Sequence, residues 1–204
     1  MTLLHKASYN GNVNAAQLLL EHGANINARN KEGQTPLHLL LLAMDEDLDI
    51  DTIQFFLERG ADADAVDNNH LTLLHEVSYN GNVNAAQLLL EHGANINARN
   101  KEGHTPLHRV LADLDDDMGT HHFDTIQFLL EHGANVDALD DAQSTPLHVA
   151  SEYGSAKATR LLLEHGANVY LQNNEGHTPS QVASAKGRQE IAGDRTFVYG
   201  AFAD

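Results

Sequence analysis

The chain has 204 residues, of which 42% are hydrophobic, and a formal net charge of −17 from 12 basic and 29 acidic side chains. Because phosphate backbones and anionic lipid surfaces are bound through lysine and arginine, this charge excludes nucleic acid and membrane surfaces as expected partners. The absence of cysteine excludes disulfides, thiolate metal sites and cysteine nucleophiles.

The sequence contains no apolar run as long as a membrane span. Its first residues, MTLLHKASYNGN, lack the basic segment and apolar stretch of a secretory signal. With no cysteine present, these features predict an intracellular protein, with a cytoplasmic location favoured and nuclear or host-cell delivery left open.

A segment of 26 residues occurs twice without a change. Residues 8–33 read SYNGNVNAAQLLLEHGANINARNKEG and recur at residues 78–103. A shorter period lies inside this duplication, because a T-x-x-H motif or its variant TPSQ begins at six positions: Thr2, Thr35, Thr72, Thr105, Thr145 and Thr178. The spacings of 33, 37, 33, 40 and 33 residues predict six tandem repeats.

Each repeat predicts two short helices followed by a polar loop. The motif threonine suits the N-cap of the first helix, and a proline follows it in four repeats, at the first helical position. A break such as Tyr9-Asn10-Gly11 precedes a second helix with an apolar LLL run. A left-handed glycine then suits the C-terminus of that helix, at Gly23, Gly60, Gly93, Gly133 and Gly166.

The 33-residue spacing and the T-P-L-H motif resemble the ankyrin repeat family over nearly the whole chain. The resemblance implies an all-α solenoid of helix-turn-helix units joined by β-hairpin-like loops. It implies one monomeric array over residues 1–204, in which the sixth repeat is atypical because TPSQ replaces TPLH. We expect the tail at residues 195–204 to pack on that last repeat.

The resemblance also implies a scaffold that binds a protein partner and has neither a catalytic activity nor a cofactor. Family partners bind across a concave face made by the hairpins and the first helices, and the acidic charge favours a partner with a basic patch. The residues that carry over to this face are Tyr9, Asn10, Lys31, Glu32, Gln34, Asn68, Asn69, Leu71, Tyr79, Asn80, Lys101, Glu102, His104, Asp113, Asp141, Ser144, Glu152, Tyr153, Asn174 and His177.

Fourteen histidines invite a metal or catalytic interpretation, but nine recur at fixed repeat positions. Five belong to the T-x-x-H motif and are expected to brace the loop. Four precede the glycine after the second helix, where a polar or cationic side chain suits the helix dipole. Two other positions predict strain, because His70 and Gln143 replace the glycine found at Gly33. Their loops must adopt a positive φ or change shape.

Two alternative functions rest on local features. Repeats two and four carry acidic insertions between their helices, and the second insertion offers weak cation ligands at Asp113, Asp115, Asp117, His121, His122 and Asp124. Its glycine and last ligand depart from a calcium-binding EF-hand loop. The hairpin residues Asn27 and Asn97 resemble the sites that asparaginyl hydroxylases modify in some ankyrin proteins.

Overall fold

A computed structural model describes residues 1–43, 50–112, 114 and 120–192. Their regular structure is helical, apart from one isolated β-bridge between Val66 and Thr72. The helices are α1 (Leu3–Tyr9), α2 (Val13–Glu21), α3 (Pro36–Ala43), α4 (Ile50–Glu58), α5 (Leu73–Tyr79), α6 (Val83–Glu91), α7 (Pro106–Leu111), α8 (Thr120–Glu131), α9 (Pro146–Tyr153), α10 (Ala156–Glu164), α11 (Pro179–Ala185) and α12 (Gln189–Ala192). The all-α class and the two helices per repeat are therefore confirmed.

The chain divides into two compact units. The first unit comprises Met1–Val77 and Asn84–Asn95, and the second comprises Ser78–Val83 and Ile96–Asp204. In the first unit α1 packs on α2 and α3, and α3 packs on α4. In the second unit α7 packs on α8 and α9, while α10 and α11 pack on α9. Each repeat thus buries its apolar faces against its neighbour, which one repeat alone could not do.

The helix ends follow the predicted capping pattern. The Thr105 and Thr145 hydroxyl oxygens accept hydrogen bonds from the backbone N–H three residues on, and Pro106 and Pro146 begin the helices. Asn12 and Ser155 cap the second helices of their repeats. The glycines after the second helices all have positive φ, between 82° and 94°, and these are Gly23, Gly60, Gly93, Gly133 and Gly166.

The polar loops bond to one another within each unit. Asn68 donates from its backbone N–H to the Glu32 carbonyl at 2.8 Å and from its side chain to the Lys31 carbonyl at 2.8 Å. A Cβ on Gly33 would overlap the Asn68 side chain and lie 2.8 Å from its backbone nitrogen. Glycine at position 33 therefore allows this close approach without a shift of the Asn68 loop.

The two loops without that glycine keep the same shape. His70 has φ 59° and Gln143 has φ 58°, so both adopt the left-handed conformation. In each loop the backbone N–H of the residue still donates to the carbonyl three residues earlier, Asp67 or Asp140, at 3.1 Å. The loop bonds therefore offset the cost of a positive φ at a non-glycine residue, which is of order 1 kcal/mol.

Both insertions fall between the two helices of their repeats, as predicted. The first separates α3 from α4, and the second separates α7 from α8. The sixth repeat differs in its motif, where Gln181 replaces the histidine and still completes the capping box of α11. The expected packing of the tail at residues 195–204 concerns residues outside the described part of the chain.

Candidate partner-binding face

The motif histidines close a local network at the start of each first helix. In His5, His38, His75, His108 and His148 the ring Nδ1 accepts from the backbone N–H of the motif threonine at 3.0–3.2 Å. On the opposite side of the ring, Nε2 of His5, His108 and His148 donates to the Gln34, Ser144 and His177 carbonyls at 2.9–3.2 Å. The ring thereby ties a helix to the loop of the next repeat.

Burial keeps three of these rings neutral. Loss of solvent lowers the pKa of His38 and of His108 to about 4, and it also lowers the pKa of His148. Because Nδ1 accepts while Nε2 donates in His108 and His148, the hydrogen bonds already require the neutral tautomer. These histidines therefore have a structural role at pH 7.

The histidines of the second helices satisfy helix carbonyls. His22, His92, His132 and His165 each donate from Nδ1 to the carbonyl four residues earlier, at 2.7–2.9 Å. Each of these carbonyls also accepts from the backbone N–H of the same histidine, so the ring adds a second hydrogen bond at the end of the helix. The fixed positions of these nine histidines thus follow from the repeat.

Most of the predicted contact residues are accessible to a partner. Fourteen are exposed: Tyr9, Asn10, Lys31, Glu32, Asn68, Asn69, Tyr79, Asn80, Lys101, Glu102, Asp141, Glu152, Asn174 and His177. Five are half-buried: Gln34, Leu71, His104, Ser144 and Tyr153. Asp113 lies outside the described residues. Accessibility is necessary for binding, but some of these side chains also hold the fold together.

Three of the predicted contact residues connect consecutive loops. Asn68 does so in the first unit. In the second unit, Asn174 donates from its side chain to the Asp141 carbonyl at 3.1 Å, and Asp141 pairs with Arg99 at 2.9 Å. Substitution of these three residues would therefore disturb the loops as well as any contact with a partner.

The three candidate tyrosines have different surroundings. The Tyr9 side chain is largely exposed, at 55% relative accessibility, whereas Tyr79 is 37% exposed. The Arg109 guanidinium lies 4.2 Å from the centre of the Tyr79 ring, and the Tyr79 carbonyl accepts from His122 Nε2 at 3.1 Å. Tyr153 lies at the end of α9 and is half-buried.

A groove of about 280 Å³ lies in the second unit, between the first helices and the loops that precede them. Four of the predicted contact residues line it, namely His104, Ser144, Glu152 and Tyr153. The rest of the lining comprises His108, Ala112, Asp140, Ala142, His148, Val149, Asn173 and Val182. The structure thus brings residues from three consecutive repeats to one concave site.

Asp140 is the acidic groove residue that the predicted contact set does not include. Its side chain is only 7% exposed, and one carboxylate oxygen lies 3.4 Å from His104 Nε2. The equivalent turn position carries asparagine at Asn30, Asn100 and Asn173 and aspartate at Asp67, so both side chains occur there. Since an amide and a carboxylate oxygen make the same loop bond, that bond does not require the negative charge of Asp140.

The alternative sites receive no added support from the described residues. Asp113, Asp115 and Asp117 lie outside them, and the part of the chain that the structure describes holds no group of three or more potential metal ligands. Of the remaining candidates, His121 and Asp124 are exposed, and His122 bonds to Tyr79.

The two hydroxylation candidates are exposed but hydrogen-bonded. The Asn27 side chain donates to the Gly60 carbonyl at 2.9 Å and accepts from the Asp62 backbone at 2.9 Å. Asn97 makes the equivalent bonds to Gly133 and Asn135 at 3.2 and 2.8 Å. Their modification stays an untested prediction.

Comparison with known proteins gives matches along most of the chain. A family model described as ankyrin repeats in three copies matches residues 39–140 and 118–193, and a model of many copies matches residues 4–48. An ankyrin repeat domain from Acinetobacter baumannii AYE superposes with a TM-score of 0.79 and 27% identity, over 96% of this chain and 95% of that one.

Two sequence relatives match part of the chain at 36% identity. The B-cell lymphoma 3 protein homolog of Mus musculus matches over 113 residues, which are 52% of this chain and 24% of that protein. A palmitoyltransferase of Lachancea kluyveri matches over 107 residues, which are 52% of this chain and 14% of that enzyme. The shared stretch is therefore at most about a quarter of either relative.

No helix within the described ranges is long and apolar enough to cross a membrane.

Proposed function

The chain belongs to the ankyrin repeat family, whose repeats generally bind other proteins, and from this premise we propose that it is a scaffold that binds a protein partner through its hairpins and first helices. The observation that carries the proposal is the groove of the second unit. Four side chains that family resemblance assigns to the partner face line that groove. Exposed tyrosines add contact area at low entropy cost.

The proposal includes a function without catalysis, performed inside the cell by a monomer. The nine repeat histidines support it, because their rings bond to backbone groups and serve the fold. The acidic surface supports a partner with a basic patch, since complementary charge speeds encounter and disfavours acidic competitors. The palmitoyltransferase relative is matched over only 14% of its length.

Affinity capture from the source cell tests this proposal. We expect the wild-type chain to retain a protein that Tyr153→Ala and Tyr9→Ala retain about tenfold less, because each change removes a large contact surface. Tyr170→Ala is the matched control, since this exposed tyrosine lies outside the candidate face. Thermal unfolding of every variant separates lost contacts from lost folding.

Capture of the same protein in equal amounts by Tyr9→Ala, Tyr153→Ala and the wild type would contradict the proposed face. Capture reduced by Tyr170→Ala alone would place the partner elsewhere. A variant that melts at the wild-type temperature and still loses the partner supports the proposal.

A further inference from the structure

The groove of the second unit contains a nearly buried carboxylate. Asp140 is 6% exposed as a residue and lines the groove. Its Oδ1 accepts from the Ser144 backbone N–H at 2.7 Å, which closes the loop, and its Oδ2 lies 3.4 Å from His104 Nε2. Aspartate is rarely buried to this extent without a charged partner, because desolvation of the anion is costly.

The loop itself does not require the negative charge. In Asn100 the side-chain oxygen accepts from the His104 backbone at 2.8 Å, and in Asn173 it accepts from the His177 backbone at 3.0 Å. These bonds match the one from Ser144 to Asp140, and a neutral amide makes them equally well. The second oxygen of Asp140 and its charge are therefore additional to the structural role of this position.

The described part of the second unit supplies no lysine or arginine to this carboxylate. Arg99 pairs with Asp141 at 2.9 Å and also bonds the Leu139 carbonyl, while Lys186 pairs with Glu152 at 2.7 Å. The neighbouring rings of His108 and His148 are neutral, since burial lowers the pKa of each. None of the residues that line the groove is a lysine or an arginine, so no such side chain in its lining balances the Asp140 carboxylate.

We propose that this groove receives an arginine or lysine side chain of the protein partner, with Asp140 as its counter-charge. The inference rests on the proposed function and names the chemistry of the partner segment that would occupy the groove. At about 280 Å³ the groove is just below the size range of ligand pockets, which suits one long side chain and its adjoining backbone. Tyr153 and Val149 line the groove and can cover the aliphatic stem of such a side chain.

Titration of the full chain with Nα-acetyl-arginine amide tests the inference. We expect saturable NMR shifts at the backbone amides of His104, Asp140 and Ser144, and about tenfold weaker binding or worse for Asp140→Asn. This variant installs the amide already present in three other repeats, so the loop bond from Ser144 is retained. Nα-acetyl-citrulline amide, which has nearly the same shape without the charge, should cause no saturable shift.

Asp67→Asn is the matched control for net charge. Asp67 occupies the same loop position in the first unit, where its side chain accepts from Asn69 and Leu71 at 2.7 and 2.9 Å. Unchanged shifts around Asp140 in the Asp67→Asn variant would support a local site. Equal binding by wild type and Asp140→Asn, equal binding of the citrulline probe, or no saturable shift in the wild type would overturn the inference.

The two proposals fail in different experiments. If capture from the source cell yields no partner while the arginine probe still saturates the groove, the proposed function is overturned. If a partner is captured but the arginine probe does not bind, only the inference about the groove is overturned.

Discussion

The two identical segments, residues 8–33 and 78–103, form the same helices but expose different side chains. Leu19 in α2 is half-buried, whereas its copy Leu89 in α6 is fully buried. Gly11 is exposed and its copy Gly81 is buried. A given sequence therefore specifies the helix and its caps, while the neighbouring repeat decides which side chains a partner could touch.

The second insertion accounts for part of this difference. In α8 the residues from Thr120 to Phe123 precede the shared sequence DTIQF. This part of the helix brings the backbone of His121 and His122 to Gly81, and His122 bonds to Tyr79. The turn after α5 is thus covered from within the second unit.

One residue of the following repeat also makes the surroundings of Tyr79 differ from those of Tyr9. Arg109 stacks on Tyr79, but the equivalent position in repeat two is Leu39. A cation above an aromatic ring contributes about 0.5–1 kcal/mol at an exposed site. Tyr9, which is more exposed than Tyr79, is therefore the better of the two as a direct partner contact.

The largest expected difference between the two copies is the loss of stability when Leu19 or Leu89 is replaced by alanine. Leu89→Ala should lower the free energy of unfolding by about 2–5 kcal/mol, because it leaves a cavity in a packed interior. Leu19→Ala should cost about 1–2 kcal/mol, since part of that side chain already contacts water. Urea unfolding followed by circular dichroism measures both. Equal losses would show that burial does not distinguish the copies.

The second effect concerns the neutral histidine that lies five residues after each copied segment, which is His38 or His108. Because the pKa of His108 falls from 6.5 unfolded to about 4 folded, the unfolded chain binds more protons between these values. The contribution of the neutral histidine to the free energy of unfolding is complete above pH 6.5. It declines as the pH falls towards 4, by about 3 kcal/mol per such histidine. His38 should behave in the same way.

The variant His108→Gln isolates this contribution. Repeat six already uses Gln181 at this position, where its side-chain oxygen accepts from the Thr178 backbone at 2.9 Å. Denaturant unfolding between pH 7 and pH 4 should show a smaller loss of stability for His108→Gln than for the wild type. Identical pH dependence in the two proteins would mean that His108 titrates normally in the fold.

The smallest difference is expected at the copied glycines. Gly11→Ala should cost about 1 kcal/mol, because φ is +63° and a Cβ there meets nothing within 4 Å. Gly81→Ala should cost about 1–2 kcal/mol more, since its Cβ would lie 3.2–3.3 Å from the backbone of α8. An equal decrease in melting temperature for the two variants would show that α8 moves away from the added Cβ without a loss of stability.

Most of the fold is predictable from the sequence because capping and turn formation depend on a few adjacent residues. Thr145, Pro146 and Gly166 occupy the helix positions that their local chemistry favours. The loops at His70 and Gln143 could not be resolved in this way. Their positive φ is held by bonds within the loop, and only the energy of the assembled loop decides between strain and a new shape.

The candidate face was anticipated only in part. Family resemblance identified His104, Ser144 and Tyr153, but Asp140 became evident through its burial and its place in the groove. The contact between Arg109 and Tyr79 likewise joins residues thirty positions apart. Such contacts depend on how repeats stack, and a repeat motif does not encode the identity of its neighbour.

By itself, the sequence determined the repeat period, the helices and their caps, since these follow from local hydrogen bonding and the spacing of apolar residues. Only the tertiary structure decided the exposure of each copied side chain, because burial is a property of the neighbours that cover a residue. It also decided that Asp140 lies in a groove without a lysine or arginine partner among the described residues. This burial matters because a carboxylate withdrawn from water is costly to desolvate, and a nearby cation offsets that cost.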